Sequence, residues 1–202
     1  MAPRMVARFG RTERALHWVH ATGFFVMLAS GLVLYLPALS ELVARRNLVK
    51  NVHIFAAVGW AVALCLVVAL GDRWRLAEDW REIEAIDEDD RRWLWTGRGD
   101  QGRFNAGQKL NAIVTVAFAL LFAVSGFFLW LGERDHRFLL DGTDTVHVVL
   151  TLVSVGLVSG HLYLALIHPR TRHALRGITL GDVSEDWARE HHSKWLDEGR
   201  GS

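Results

Sequence analysis

Four stretches of this chain, Leu16–Leu36, Val49–Leu70, Leu110–Leu131 and Thr145–Ile167, are almost free of charge. Each is close to the ~20 residues that a helix rising ~1.5 Å per residue needs to cross a bilayer. In hydrocarbon every backbone N–H and C=O must be satisfied internally, so spans of this length are helices. These stretches predict an all-α membrane protein, a bundle of four transmembrane helices at about 16–36, 49–70, 107–131 and 145–168. No polar stretch is long enough to form a separate globular domain. Residues 1–202 therefore read as a single integral membrane domain, with a loop at 72–106 and a tail at 169–202.

An even number of crossings puts both termini on one side. That side carries seventeen Lys and Arg residues and the other only five (Arg45, Arg46, Lys50, Arg134 and Arg137). By the positive-inside rule both termini are cytoplasmic. The first apolar stretch is too long for a signal-peptide core, and no clear small-x-small cleavage site follows it. The net charge of +1 gives nucleic-acid binding no electrostatic support. Cys65 is the single cysteine, so no internal disulfide is expected.

Histidine inside an apolar span is costly and marks function. His147 and His161 sit on the fourth span, fourteen positions apart. At ~100° and ~1.5 Å per residue their rings point within roughly 40° of each other, ~21 Å apart along the axis. Topology then assigns depths. His53 and His147 lie near the outer starts of their helices. His161 lies in the cytoplasmic half, level with His17 or His20. A haem iron with two axial imidazoles needs histidines at matching depth on different helices, so two depth-matched pairs sharing one helix predict two b-type haems. The competing readings are packing histidines, and zinc, for which no third or fourth ligand stands beside either pair. Gly23, Gly31, Gly59, Gly126, Gly156 and Gly160 are small residues that would let helices or a flat macrocycle approach closely.

Elsewhere the expectations are plainer. Met1–Ala15 reads as a basic arm. Trp80–Trp95 reads as one short surface helix with interfacial tryptophans, and Thr96–Arg103 as flexible Gly-rich chain. Ser184 is a candidate N-cap. His136 lies in a loop, and His173, His191 and His192 read as solvated tail residues. His168, at the membrane edge on the face of His161, also reads as having no role, with contact to a haem propionate as the alternative.

Several stretches resemble one family, the cytochrome b (gamma) subunit of respiratory membrane-bound formate dehydrogenases. They are Glu13-Arg-Ala-Leu-His-Trp18, Asn51-Val-His-Ile-Phe55, Phe104-Asn-Ala-Gly-Gln-Lys109, Val146-His147 with His161 fourteen later, and the tail Val183-Ser-Glu-Asp-Trp-Ala-Arg-Glu-His-His-Ser-Lys-Trp195. They occur in the family's order and cover nearly the whole chain. The Asn-Ala-Gly-Gln-Lys run and the tail are the specific ones. The resemblance implies His17 rather than His20 as a haem ligand. It pairs His53 with His147 on an outer haem and His17 with His161 on a cytoplasmic-side haem. It implies a quinone site at Asn105, Gly107 and Gln108. It also implies a bacterial inner-membrane location and two partners, an iron–sulfur (beta) subunit and a molybdenum or tungsten catalytic (alpha) subunit. Formate oxidation would belong to the latter, leaving this chain an electron-transfer and quinone-reducing role. The alternatives are the cytochrome b subunit of a membrane-bound nickel–iron hydrogenase and a haem-free membrane anchor.

Overall fold

A computed structural model describes residues 3–199. Arg200, one of the seventeen basic residues counted above, lies outside them. The elements in order are β1 (Met5–Ala7), α1 (Arg11–Tyr35), α2 (Pro37–Val43), α3 (Arg46–Leu70), α4 (Arg73–Glu84), α5 (Glu88–Thr96), α6 (Ala106–Arg134), α7 (Thr143–Leu162), α8 (Leu175–Thr179), β2 (Asp182–Ser184), α9 (Glu185–His191) and α10 (Ser193–Asp197). Helices α1, α3, α6 and α7, the last continued by a π turn over Tyr163–Ile167, are long and apolar enough to cross a membrane. At most 11 % of the residues in any membrane-length window are buried by protein. Most of their apolar side chains are therefore left uncovered by this chain itself. The described residues divide into two compact units, residues 10–76 and residues 3–9 with 77–199.

In the first unit α1 packs along α3. Gly23 is the notch that permits it, because a Cβ there would overlap the Trp60 indole. The foot of the pair is tied by polar contacts: the Asp72 amide donates to Thr12 Oγ1 at 3.0 Å, and Arg75 Nε donates to Glu13 Oε1 at 2.7 Å. The connection after α1 is not an open loop. Pro37 starts α2, where its missing N–H costs nothing, and Ala44 ends it in the left-handed region (φ 52°).

In the second unit α6 packs along α7. Its core lies in the extramembrane segments. Strands β1 and β2 pair antiparallel, Val6 opposite Val183, and with Trp187, Ala188 and Trp195 they form a small buried cluster. The segment that reads as a basic arm thus contains a short paired strand, and its Arg11 already opens α1, while the architecture is mostly helical with four candidate membrane-spanning helices. Local apolar alternation in Met5–Ala7 was too short to signal a strand.

The 72–106 connection also departs from its sequence reading. The single surface helix expected over Trp80–Trp95 is two helices. Asp87 restarts the chain as the N-cap of α5: its side chain accepts from the Asp90 amide at 2.9 Å, and Asp90 Oδ2 accepts from the Asp87 amide at 3.1 Å. Such a reciprocal cap terminates one helix and begins the next. Thr96–Arg103 is only partly loose, because Gln101 (2 % exposed) and Arg103 are buried at its end. Gln101 Oε1 accepts from the Ala106 amide at 2.8 Å, and Arg103 pairs with Asp79. Ser184 caps α9 as its sequence position suggests, its Oγ accepting from the Trp187 amide at 3.4 Å.

Candidate functional site

Each unit contributes one intramembrane histidine held in the same manner. In the first unit, His53 near the start of α3 reaches Ser30 of α1, with Nδ1 2.9 Å from Oγ. In the second, His147 near the start of α7 reaches Ser125 of α6, with Nδ1 2.8 Å from Oγ. A glycine follows each serine. A Cβ on Gly31 would stand 3.4 Å from His53 Cε1, and one on Gly126 would stand 3.6 Å from His147 Cε1. Each imidazole therefore lies close against the neighbouring helix. Phe122 braces the second ring edge-on, with centroids 5.1 Å apart.

The other intramembrane histidines differ. His17 sits early in α1, with Trp18 edge-on at 5.2 Å. His20, one turn on, has its ring 5.7 Å from Trp60, beside the Gly23 notch, and so takes part in α1–α3 packing. His161 lies at the end of α7, just before the chain widens into the π turn, a local change often found at functional sites. His168 Nδ1 lies 3.2 Å from Thr171 Oγ1.

These donors suit haem better than a bare metal ion. Imidazole supplies one lone pair per ring, and two rings complete a haem iron. Among the described residues no group of three or more His, Cys, Asp or Glu is placed to hold a metal ion. A structural zinc would need four such donors.

Asn105, Gly107 and Gln108 open α6. Asn105 Oδ1 accepts from the Gln108 amide at 2.9 Å, and Gln108 Oε1 accepts from the Asn105 amide at 3.1 Å. Both side-chain oxygens thus serve a capping box. Gly107 lies under Trp93, to which a Cβ would come within 3.1 Å. Gln108 Oε1 also accepts from Arg8 Nη2 at 3.1 Å.

Arg8 and His192 are the residues the sequence misplaced. By sequence Arg8 belongs to a basic arm and His192 to a solvated tail, yet they are 0 % and 1 % exposed. Arg8 Nη2 lies 3.0 Å from His192 Nε2 and donates to the Arg103 carbonyl at 2.8 Å. His192 Nδ1 lies 2.7 Å from the Gly102 carbonyl oxygen. A carbonyl only accepts, so Nδ1 carries the proton and Nε2 accepts from the guanidinium. Burial, then the positive charge of Arg103, pushes the Arg8 pKa down to about 9, with Glu82 opposing. Burial, then Arg8, holds His192 well below its ordinary value. The tail motif in which His192 sits, between Trp187 and Trp195, was the available signal for its burial. His191 is half-buried too, stacked on Trp187 at 4.9 Å.

Three relatives are similar to this chain along nearly its full length. The cytochrome b556(fdo) subunit of formate dehydrogenase from Escherichia coli (strain K12) is 25 % identical over 209 residues, covering 96 % of this chain and 93 % of the relative. The cytochrome b556(Fdn) subunit of the nitrate-inducible formate dehydrogenase from the same strain is 23 % identical, covering 96 % and 92 %. A formate dehydrogenase cytochrome b556 subunit from Haemophilus influenzae is 22 % identical, covering 96 % and 83 %. The family described as prokaryotic cytochrome b561 matches residues 8–181, which takes in all four membrane helices. With that match, the chain belongs to the prokaryotic cytochrome b561 family of haem b-carrying inner-membrane proteins.

Proposed function

We propose that this chain is the di-haem cytochrome b subunit of a formate dehydrogenase, passing electrons from a periplasmic iron–sulfur subunit across the membrane to quinone. The observation that carries the reading is helix α7 with its π turn, which bears His147 near one end and His161 near the other. A second histidine of matching depth is available for each on an earlier span: His53 for His147 and His17 for His161. His20 is already engaged with Trp60, which supports His17. The relatives named above are formate dehydrogenase subunits, which favours this reading over a hydrogenase subunit.

Haem b, when bound, supplies a one-electron Fe(III)/Fe(II) couple. His17, His53, His147 and His161 would hold the two irons. Apolar surroundings would keep water from the irons and tune the couple. At the start of α6, Asn105 and Gln108 keep their side-chain oxygens in the capping box, so their amide NH2 groups are the parts that donate to a quinone carbonyl. Gly107 keeps the chain close to Trp93 there. The excess of Lys and Arg on the loop and tail side supports cytoplasmic termini. Quinone reduced at that side takes its protons from the cytoplasm, and inward electron flow then builds a proton-motive force. The catalytic partner would carry the molybdenum or tungsten centre, and this chain would do no formate chemistry itself. All 202 residues would serve as one membrane domain in lipid.

The test is purification of the native complex. Co-purifying iron–sulfur and molybdenum or tungsten subunits, with quinone reduction driven by formate and not by hydrogen, are the expected result. Hydrogen-driven reduction would favour the hydrogenase alternative. Absence of a reduced b-type alpha band would leave only a haem-free anchor.

A further inference from the structure

We infer that Ser30 and Ser125 are positioning residues that set the tautomer and tilt of His53 and His147, presenting Nε2 of each ring to iron; the inference rests on these two histidines being axial ligands. Ser30 Oγ is 2.8 Å from the Val26 carbonyl oxygen, and Ser125 Oγ is 2.7 Å from that of Leu121. A carbonyl oxygen only accepts, and a hydroxyl has one proton. A hydroxyl that donates backward into its own helix, as membrane-helix serines commonly do, has no proton left for the ring. Its oxygen can then serve the imidazole at 2.9 or 2.8 Å only by accepting, so Nδ1 carries the hydrogen and donates. The lone pair of the neutral ring is left on Nε2, the nitrogen farther from the serine-bearing helix.

A serine in a membrane helix commonly makes the backward bond alone. What distinguishes these two is the ring nitrogen on the same oxygen, together with burial: Ser30 is 8 % and Ser125 5 % exposed. Water has little room to replace the hydroxyl. The device occurs twice, on independent helix pairs. In both cases the serine is followed by glycine and the histidine lies on the next long helix, 23 residues on for Ser30 and 22 for Ser125. Metal-bound imidazoles characteristically donate their second N–H to an oxygen, which fixes the ring and raises its basicity. A more basic imidazole favours ferric over ferrous iron.

The test uses the native complex carrying Ser30→Ala or Ser125→Ala, with His53→Ala and His147→Ala beside them. Each serine variant is expected to weaken the ferric preference of one haem, and both to act on the same haem. A tenfold loss reads as a rise of about 59 mV in a one-electron midpoint potential. The other haem keeps its potential. Ser→Thr retains an oxygen at the same place and restores the native value. Pulsed EPR of the remote ring nitrogens, on unaltered protein, should show a strongly hydrogen-bonded Nδ1–H on both ligands of that haem, even if an alanine variant does not accumulate. Serine variants that leave both potentials unchanged, or shift both haems alike, would overturn the inference while His→Ala still removes a haem. His53→Ala and His147→Ala that keep both haems would instead overturn the ligand reading beneath it.

Discussion

The membrane helices and the polar core of the loop and tail meet opposite demands. Helix α3 has no residue buried by protein in its membrane window, and its fit to α1 depends on a glycine under a tryptophan. The extramembrane core instead buries charge. Arg103 pairs with Asp79, Lys109 Nζ reaches Asp90 Oδ2 at 2.6 Å, and Arg8 is enclosed with His192. Lipid covers apolar side chains without help from protein, so a span needs only close backbone approach and satisfied polar groups. In the extramembrane segments a buried ion must be paired, because removing one partner leaves the other desolvated. The comparison teaches where each kind of substitution will matter.

The largest expected effect is in the polar core. Asp90→Ala would strand the Lys109 ammonium, which is 6 % exposed and also donates to the Ala85 carbonyl. A loss of about 3–5 kcal/mol is expected, read by denaturant unfolding or proteolysis of the tail in detergent. Replacing the pair together, Asp90→Leu with Lys109→Met, should recover most of it. If the single and double variants lost the same stability, burial of the charge would not be the cause.

In a span the comparable failure is steric. Gly23→Ala forces overlap with Trp60 and should cost about 1–3 kcal/mol through overpacking, seen as earlier thermal loss of haem absorbance. Trp60→Leu in the same chain should relieve it.

Next comes pH. His192 is held neutral, its folded pKa well below the unfolded value of 6.5. Below pH 6.5 the unfolded chain binds the extra proton and the folded chain does not. The stability contributed is therefore full above 6.5 and falls with acid, at up to about 1.4 kcal/mol per pH unit. Hydrogen exchange of the tail between pH 7.5 and 5.5 should show it, and His192→Asn or His192→Gln should flatten the slope.

The smallest effect belongs to an exposed pair. Lys194 Nζ lies 2.6 Å from Asp87 Oδ2 and lowers the Asp87 pKa from 3.8 to about 2. The bond is present above pH ~4 and lost as pH falls toward 2, but solvent and salt screen it. Lys194→Ala should cost under about 1 kcal/mol, and less at high salt.

The same contrast decides what the sequence could reveal. The four spans were legible because bilayer thickness dictates a length and lipid forbids charge. His53, His147 and His161 stood out for the same reason: polar rings are conspicuous against Val, Leu and Ala. Ser30 and Ser125 did not stand out, since a serine in a membrane helix ordinarily satisfies itself. The polar core was nearly invisible. Arg8, Asp90, Arg103 and Lys109 look like solvated charges until the fold brings each to its partner, and Asp79 and Arg103 are 24 positions apart. Asn105 and Gln108 were singled out by family resemblance alone, and the structure holds their side-chain oxygens in a capping box.

The central claim, four histidines holding two haems, is tested most directly by haem quantitation on the purified chain and on His147→Ala. Two haem b per chain in the native protein and one in the variant is the predicted result. A single haem in the native protein, or two retained in His147→Ala, would contradict it.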